Sequence, residues 1–461
     1  MLSVGLCLLA FAFAYAAGRR SLVAGLATVF TVGYFYGILR ANVPEPSSHF
    51  IFDSAVAGLY LTQLWRRQRA DEWQSQQLLR LWVGLLVAWP LILFFVPVQS
   101  YPVQFVGLRG NVFLLPFLLL GGRLKDEEVY KLALCFGVLN LIAAAFAGAE
   151  FFIGVERFYP HNEVTDLIYR SIVDEDFTNP DRSLALRIPA IFTSAHAYAG
   201  MMVMTLAFII GAWALKRERG RLERRMLYVT MAASMVGVFA AAARSPVIIL
   251  ALMLLTVFLT VRLKSHGWVF LLIMLAGVGW VVSSESRLQR FTTLQDMDFV
   301  SERVSWSVND SFTQLMVEYP LGNGLGGGGT SMPYFLESEV SPPTYYMENE
   351  YARIVLEQGV LGLCLWVGFI VWLFTRRNIR RSDTWYVGRA LTWVACAAFF
   401  ATGMIGKGLL TSIPGTALML LGAGWVAVRR SQWQGEVETE GREAFAAVGD
   451  DEPSALAEQY G

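Results

Sequence analysis

The stretch PPTYYMENEYARIVLEQGVLGL, residues 342 to 363, carries Glu348, Glu350, Arg353 and Glu357 straight into an apolar run. The fold turns on whether that run lies in water or in lipid. Of 461 residues, 55% are hydrophobic and 13% aromatic, with a mean hydropathy of +0.47, too apolar for a soluble domain of this size. The sequence reads as an all-α polytopic membrane protein. Its net charge is zero, so no global field points to nucleic acid, and none is expected as a partner.

Runs long enough to span, some of them short, begin at about residues 2, 21, 49, 81, 102, 131 and 189. Further runs fall at about 226–242, 245–261, 268–283, 352–374, 384–404 and 411–428, which makes about thirteen helices. Pro90, Pro116 and Pro414 are expected to kink or break them. Alternating the connections places Arg19, Arg20, RRQR (66–69), RLKDEEVYK (123–131), KRERGRLERR (216–225), RLK (262–264), RRNIRR (376–381), Arg429 and Arg430 on one side. That side holds about 25 of the 37 lysines and arginines, so the positive-inside rule makes it the cytosol. The N-terminus is then outside and the C-terminus inside. The N-terminal run lacks a basic segment before it and reads as a retained first helix rather than a signal peptide.

The domain plan is a transmembrane region, 1–430, with long outer loops at about 150–188 and 284–348. A tail at 431–461, rich in Glu, Asp and Ala, is expected to be disordered. The outer face is acidic overall, so its few arginines stand out. Arg244, in VFAAAARSPVIILAL, sits between two closely spaced apolar runs, where an arginine either faces an anionic partner or snorkels to the interface. Arg290 and Arg303 follow in RFTTLQDMDFVSERVSW. In EYPLGNGLGGGGT, residues 318 to 330, six glycines between Gly322 and Gly329 allow bare amides to approach a phosphate, and serve a hinge equally well. RIPAIFTSAHAYAG, residues 187 to 200, sets Arg187 before a helix and His196 within it.

On a helix, Glu350, Arg353 and Glu357 share one face, and Asn349 stands four residues from the same arginine. A salt-bridge ladder explains Arg353 and Glu357, leaving Glu348 for chemistry. The four cysteines and four histidines have no ligand spacing. Asp174 to Asp176 and the pair Asp296 and Asp298 match D-x-D patterns of the kind that acidic loops produce by chance. No metal and no cofactor is expected.

GLRGNVFLLPFLLLGGRL, RIPAIFTSAHAYAG, AAARSP, RVSW, the PLGNGLGGG run and ENEYARIVLEQGVLGL occur in this order between about 105 and 375. Together they resemble the O-antigen ligase and Wzy-type polysaccharide polymerase family of bacterial envelope glycosyltransferases. The most specific piece is the pattern N-x-Y-x-x-x-x-x-E-x-G at Asn349, Tyr351, Glu357 and Gly359. The resemblance implies a C-type glycosyltransferase-like architecture with a large outer loop, and transfer of glycan from an undecaprenyl diphosphate carrier to an acceptor hydroxyl. It implies that Arg244 and Arg303, with Arg187, grip the donor diphosphate, with a flippase and a chain-length regulator as partners. His196, Arg290, Asn349, Tyr351 and Arg353 join them as candidate substrate contacts. Where the family often has a histidine before its N-x-Y element, this chain has Glu348, which takes the role of base and favours a polymerase over a ligase. A protein oligosaccharyltransferase and a transporter or flippase remain the alternatives.

Overall fold

The computed structural model describes residues 1–64, 66, 70–172, 187–215, 220–261, 301, 312–329, 332–340, 349–376, 379–406 and 408–428. The described residues form helices and no strand. In chain order they are α1 (Leu2–Arg20), α2 (Leu22–Asn42), α3 (Ile51–Leu64), α4 (Ala70–Ser75), α5 (Gln77–Phe94), α6 (Tyr101–Val112), α7 (Pro116–Arg123) and α8 (Asp126–Ile153). There follow α9 (Glu163–Ile172), α10 (Ala195–Ala214), α11 (Arg221–Ala240), α12 (Arg244–Thr260), α13 (Phe312–Glu318), α14 (Glu350–Thr375), α15 (Tyr386–Thr402) and α16 (Gly415–Ala427).

Seven segments among the described residues are long and apolar enough to cross a membrane: α1, α2, α5, α6 with α7, α8, α10 and α14. The helices α12, α15 and α16 are apolar but shorter. The molecule is therefore a helical membrane protein in its broad class. The run at about 268–283 and the tail at 431–461 lie outside the described residues.

The prolines act differently from one another. Pro90 lies inside α5, which continues through it, whereas Pro116 opens α7 after a turn that interrupts the run beginning at about 102. Pro at the first helical position loses no hydrogen bond, because that N–H has no partner within the helix. Pro414 caps the start of α16.

Helix α10 is buried along nearly its whole length and forms the centre of the bundle, packed against α8, α11 and α15. A polar knot fixes this centre. Asn140 accepts from the Tyr34 hydroxyl at 2.6 Å and donates to Thr205 Oγ1 at 2.8 Å and Ser234 Oγ at 2.7 Å. It ties α2, α8, α10 and α11 together where lipid-like surroundings offer no other partner. Elsewhere small residues bring helices into backbone contact. A side chain at Gly121 would strike the Leu421 carbonyl, and one at Gly424 the Leu118 carbonyl, so α7 and α16 meet without intervening side chains. Gly424→Val is expected to destabilise the protein by about 1–3 kcal/mol, the usual overpacking cost. Denaturant unfolding in mixed micelles measures it, and an unchanged midpoint would refute this contact.

Candidate functional site at the mouth of a broken helix

Helix α14 begins with Asn349 as its cap, the side-chain Oδ1 accepting from Tyr351 N at 2.8 Å and Ala352 N at 3.2 Å. Inside its first two turns lies the expected ladder. Arg353 donates from Nε and Nη2 to Glu350 Oε1 at 3.0 and 2.8 Å, and from Nη1 to Glu357 Oε2 at 2.7 Å. Arg353 is 2% exposed, and both carboxylates are buried with it. The asparagine that joins the arginine is not Asn349. It is Asn111 of α6, whose Oδ1 accepts from Arg353 Nη1 at 3.1 Å and whose Nδ2 donates to Glu357 at 2.7 Å. Gln358 donates to the same Oδ1 at 2.9 Å. Glu350 receives the Gly408 amide at 2.6 Å, and its own amide donates to the Gly403 carbonyl at 2.9 Å.

The helix then breaks. Gly359 takes φ 70° and ψ −176°, so α14 consists of two pieces that meet there. A break at membrane depth exposes backbone groups that lipid cannot satisfy. The glycine run satisfies them: Asn323 N donates to the Leu356 carbonyl at 2.5 Å, and Val360 N to the Pro320 carbonyl at 2.9 Å. Only glycine permits the fit at Gly359, where a Cβ would stand 2.6 Å from the Pro320 oxygen. The run is a plug fitted between helices. Gly327 and Gly329 donate to carbonyls within it, Gln99 holds the Asn323 carbonyl at 2.8 Å, and a side chain at Gly107 of α6 would strike Gly326. The Gly328 backbone donates to Glu357.

Each residue of the N-x-Y-x-x-x-x-x-E-x-G pattern thus has a structural task. Asn349 caps, Tyr351 donates its hydroxyl to the Phe400 carbonyl at 2.8 Å, Glu357 completes the ladder and Gly359 makes the break. Arg353 belongs to the ladder, with four hydrogen bonds inside the protein.

The other described candidates stand before, in or at the start of α10 and α12, two helices in contact with each other. Arg187 is half-buried and leads into the loop before α10; His196 is exposed in the first turn of α10; Arg244, half-buried, is the first residue of α12. Glu348, Arg290 and Arg303 lie outside the described residues, as do Asp174, Asp176, Asp296 and Asp298. Both described arginines adjoin unusual backbone. Among the described residues, the non-glycine positions with left-handed φ are Ala190, at 51°, and Ala242, at 48°. One lies three residues after Arg187, the other two before Arg244. Such conformations cost on the order of 1–3 kcal/mol and persist where the surroundings enforce them.

At Ala190 the enforcing groups are visible. Glu150, buried at the end of α8, accepts the Ala190 amide at 2.9 Å, while the Tyr159 hydroxyl lies 2.6 Å from the Ala190 carbonyl and 2.8 Å from that of Phe192. Burial, with Glu150 nearby, pushes the Tyr159 phenol well above its ordinary pKa and keeps it a donor. A side chain at Gly37 of α2 would strike the Phe192 carbonyl carbon, so this loop lies directly on α2.

Sequence reasoning missed Asn111 and Glu150. It also missed a cluster between α2, α3 and α6: Arg109 pairs with Asp53 at 2.5 Å, and His49 is buried nearby. A signal existed for Glu150 and Arg109, since isolated ionisable residues in apolar runs are costly and require partners. None existed for Asn111.

No protein-family model matches this chain, and comparison with curated proteins returns no match.

Removing one member of the ladder strands the others in a buried setting. Arg353→Ala is expected to cost about 3–5 kcal/mol and Asn111→Ala about 1–3 kcal/mol. Unfolding of both variants in mixed micelles measures this, and an Arg353→Ala protein as stable as wild type would remove the ladder from the account.

Proposed function

We propose that this protein is a polysaccharide polymerase of the O-antigen or exopolysaccharide type. In this reading a thirteen-span, C-type glycosyltransferase-like enzyme in the bacterial cytoplasmic membrane, N-terminus outside and C-terminus cytosolic, works on the outer face. It transfers glycan from undecaprenyl diphosphate to an acceptor sugar hydroxyl. The observation that supports it most is that Arg187 and Arg244, each close to an alanine in a left-handed turn, stand before or at the start of α10 and α12, helices in contact with each other. Guanidiniums held in fixed turns suit a diphosphate, whose charge grows as the glycosidic bond breaks.

The step requires little general-acid help, because the leaving group is a diphosphate. The acceptor oxygen attacks the anomeric carbon, Glu348 takes the hydroxyl proton, and the bond from that carbon to the carrier phosphate breaks with inversion. Arg244 and Arg303 neutralise the departing diphosphate, with Arg187 and Arg290 beside them. No metal is needed in this scheme, and a flippase and a chain-length regulator are the expected partners. The buried ladder takes no part in the chemistry: it fixes the cap at Asn349, and Glu348 is the residue immediately before that cap.

A second reading, a transporter or flippase, draws on the break at Gly359, because discontinuous helices whose freed backbone groups face a cavity are a transporter device. The tight filling of this break by the glycine run favours a fixed site instead. A ligase or a protein oligosaccharyltransferase would share the donor site and differ only in acceptor.

Glycan profiling of a deletion strain complemented with Glu348→Gln, Arg244→Ala or Arg303→Ala separates these readings. Polymerisation is expected to fall by about 10²–10⁴-fold in Glu348→Gln, with single carrier-linked repeats accumulating while membrane levels of protein hold. Long polymer stranded on its carrier would identify a ligase, and unchanged glycans would reject glycosyl transfer.

A further inference from the structure

At the opposite end of α2 from the candidate site, about 30 Å away at 1.5 Å per residue, lies a cavity of about 700 Å³. It is formed where α1 ends, α2 begins, α3 ends and α8 starts, and its lining includes Arg19, Arg20, Arg66, Ser21, Gln63 and Glu128. Its volume falls within the range of small-molecule sites.

The charges in it are unbalanced. Among the described residues no carboxylate lies within ion-pair distance of Arg19, Arg20 or Arg66, and all three are exposed. Glu128 is the one acid in the lining, and its Oε2 accepts the Lys125 amide at 2.8 Å in the cap of α8. Two arginines outside the cavity are each covered by an aromatic ring. The Arg80 guanidinium lies 3.7 Å from the Trp73 ring centroid, and that of Arg376 4.8 Å from the Trp372 ring. Gln63, 8% exposed, also lines the cavity, and its Oε1 receives no hydrogen bond.

We propose that this cavity binds the phosphate of an anionic phospholipid head group. Three guanidiniums against one engaged carboxylate suit a phosphodiester, and the positive end of α2 adds to their field. The lipid source follows from what borders the cavity. Leu64, two residues before Arg66, is 79% exposed and Phe13, six residues before Arg19 on α1, is 64% exposed, so the helices that form the cavity also present apolar surface that can carry acyl chains. A free anion would gain nothing from that apolar surface. Basic pockets between helices at the cytosolic surface are a known lipid-binding arrangement, and the charge pattern of this chain assigns this end to the cytosol.

The test uses full-length protein in zwitterionic micelles, titrated with phosphatidylglycerol, phosphatidylcholine of the same chain length, or glycerol 1-phosphate. Thermal unfolding and native mass spectrometry are the readouts. Phosphatidylglycerol is expected to bind tenfold or more tightly than phosphatidylcholine, to raise the unfolding temperature and to survive as a one-lipid adduct, on the order of 1 kcal/mol being available per basic residue at a membrane surface. Glycerol 1-phosphate is expected to give no shift. The preference is expected to vanish in the variant carrying R19Q, R20Q and R66Q, and to persist when the same three positions become lysine. Equal binding of the two lipids, or a preference retained in the glutamine variant, would overturn the site. A shift from glycerol 1-phosphate equal to that from the lipid would overturn the lipid as source. Should the triple variant not accumulate, Arg66→Gln alone must still weaken the preference, and the wild-type adduct stands as an independent readout.

Discussion

A guanidinium sealed from water must place its N–H groups entirely on protein, and Arg353 places them on Glu350, Glu357 and Asn111. That requirement organises the end of the molecule where the candidate site lies. Glu350 is bonded in turn to the Gly403 and Gly408 backbone, so the connection between α15 and α16 is drawn in. Asn111 brings α6 against the same arginine, and the Gly328 backbone reaches Glu357. Burying these charges is expensive, and two carboxylates around one cation stay tolerable only because amide donors take up the remaining oxygens. The cluster is therefore a source of fixed geometry rather than of raw stability.

The break at Gly359 depends on that cluster. Helix α14 cannot stop and restart inside the bundle unless a second segment supplies donors and acceptors at the gap, and the glycine run does so only if it is held close. Gly328 shows how close: a Cβ there would lie 2.9 Å from both the Arg353 Cγ and a Glu357 oxygen. The anion that meets backbone from this run is thus a carboxylate of the protein itself. Six glycines in a short stretch suggested a phosphate cradle or a hinge; close packing between helices is a third use of the same residue, and local sequence does not separate the three.

What the sequence revealed follows from distance along the chain. The ladder was legible because Glu350, Arg353 and Glu357 share a face at helical spacing, and the membrane class was legible because long apolar runs have no soluble explanation. Asn111 lies 242 residues from Arg353, and nothing in either neighbourhood announces the other. Spacing alone sets Asn349 near the arginine, yet at the cap of a helix the backbone amides compete for an asparagine oxygen and take it. Gly359 was hidden for the opposite reason. Apolar residues continue on both sides of it, so hydropathy reads one helix where the backbone makes two.

The same physics separates the two kinds of residue at this end of the molecule. Asn349, Tyr351, Arg353 and Glu357 have their hydrogen bonds met within the protein, which leaves them little to offer a ligand. Arg187 and Arg244 are half-buried instead, each beside an alanine forced into a left-handed turn. At Ala190 the conformation is held by Glu150 and Tyr159, two residues whose side chains both bond to that loop's backbone. A loop fixed this way sets where Arg187 enters the bundle. Buried charge at the start of α14 and left-handed turns beside Arg187 and Arg244 are thus two separate ways in which this chain fixes backbone at the ends of its helices.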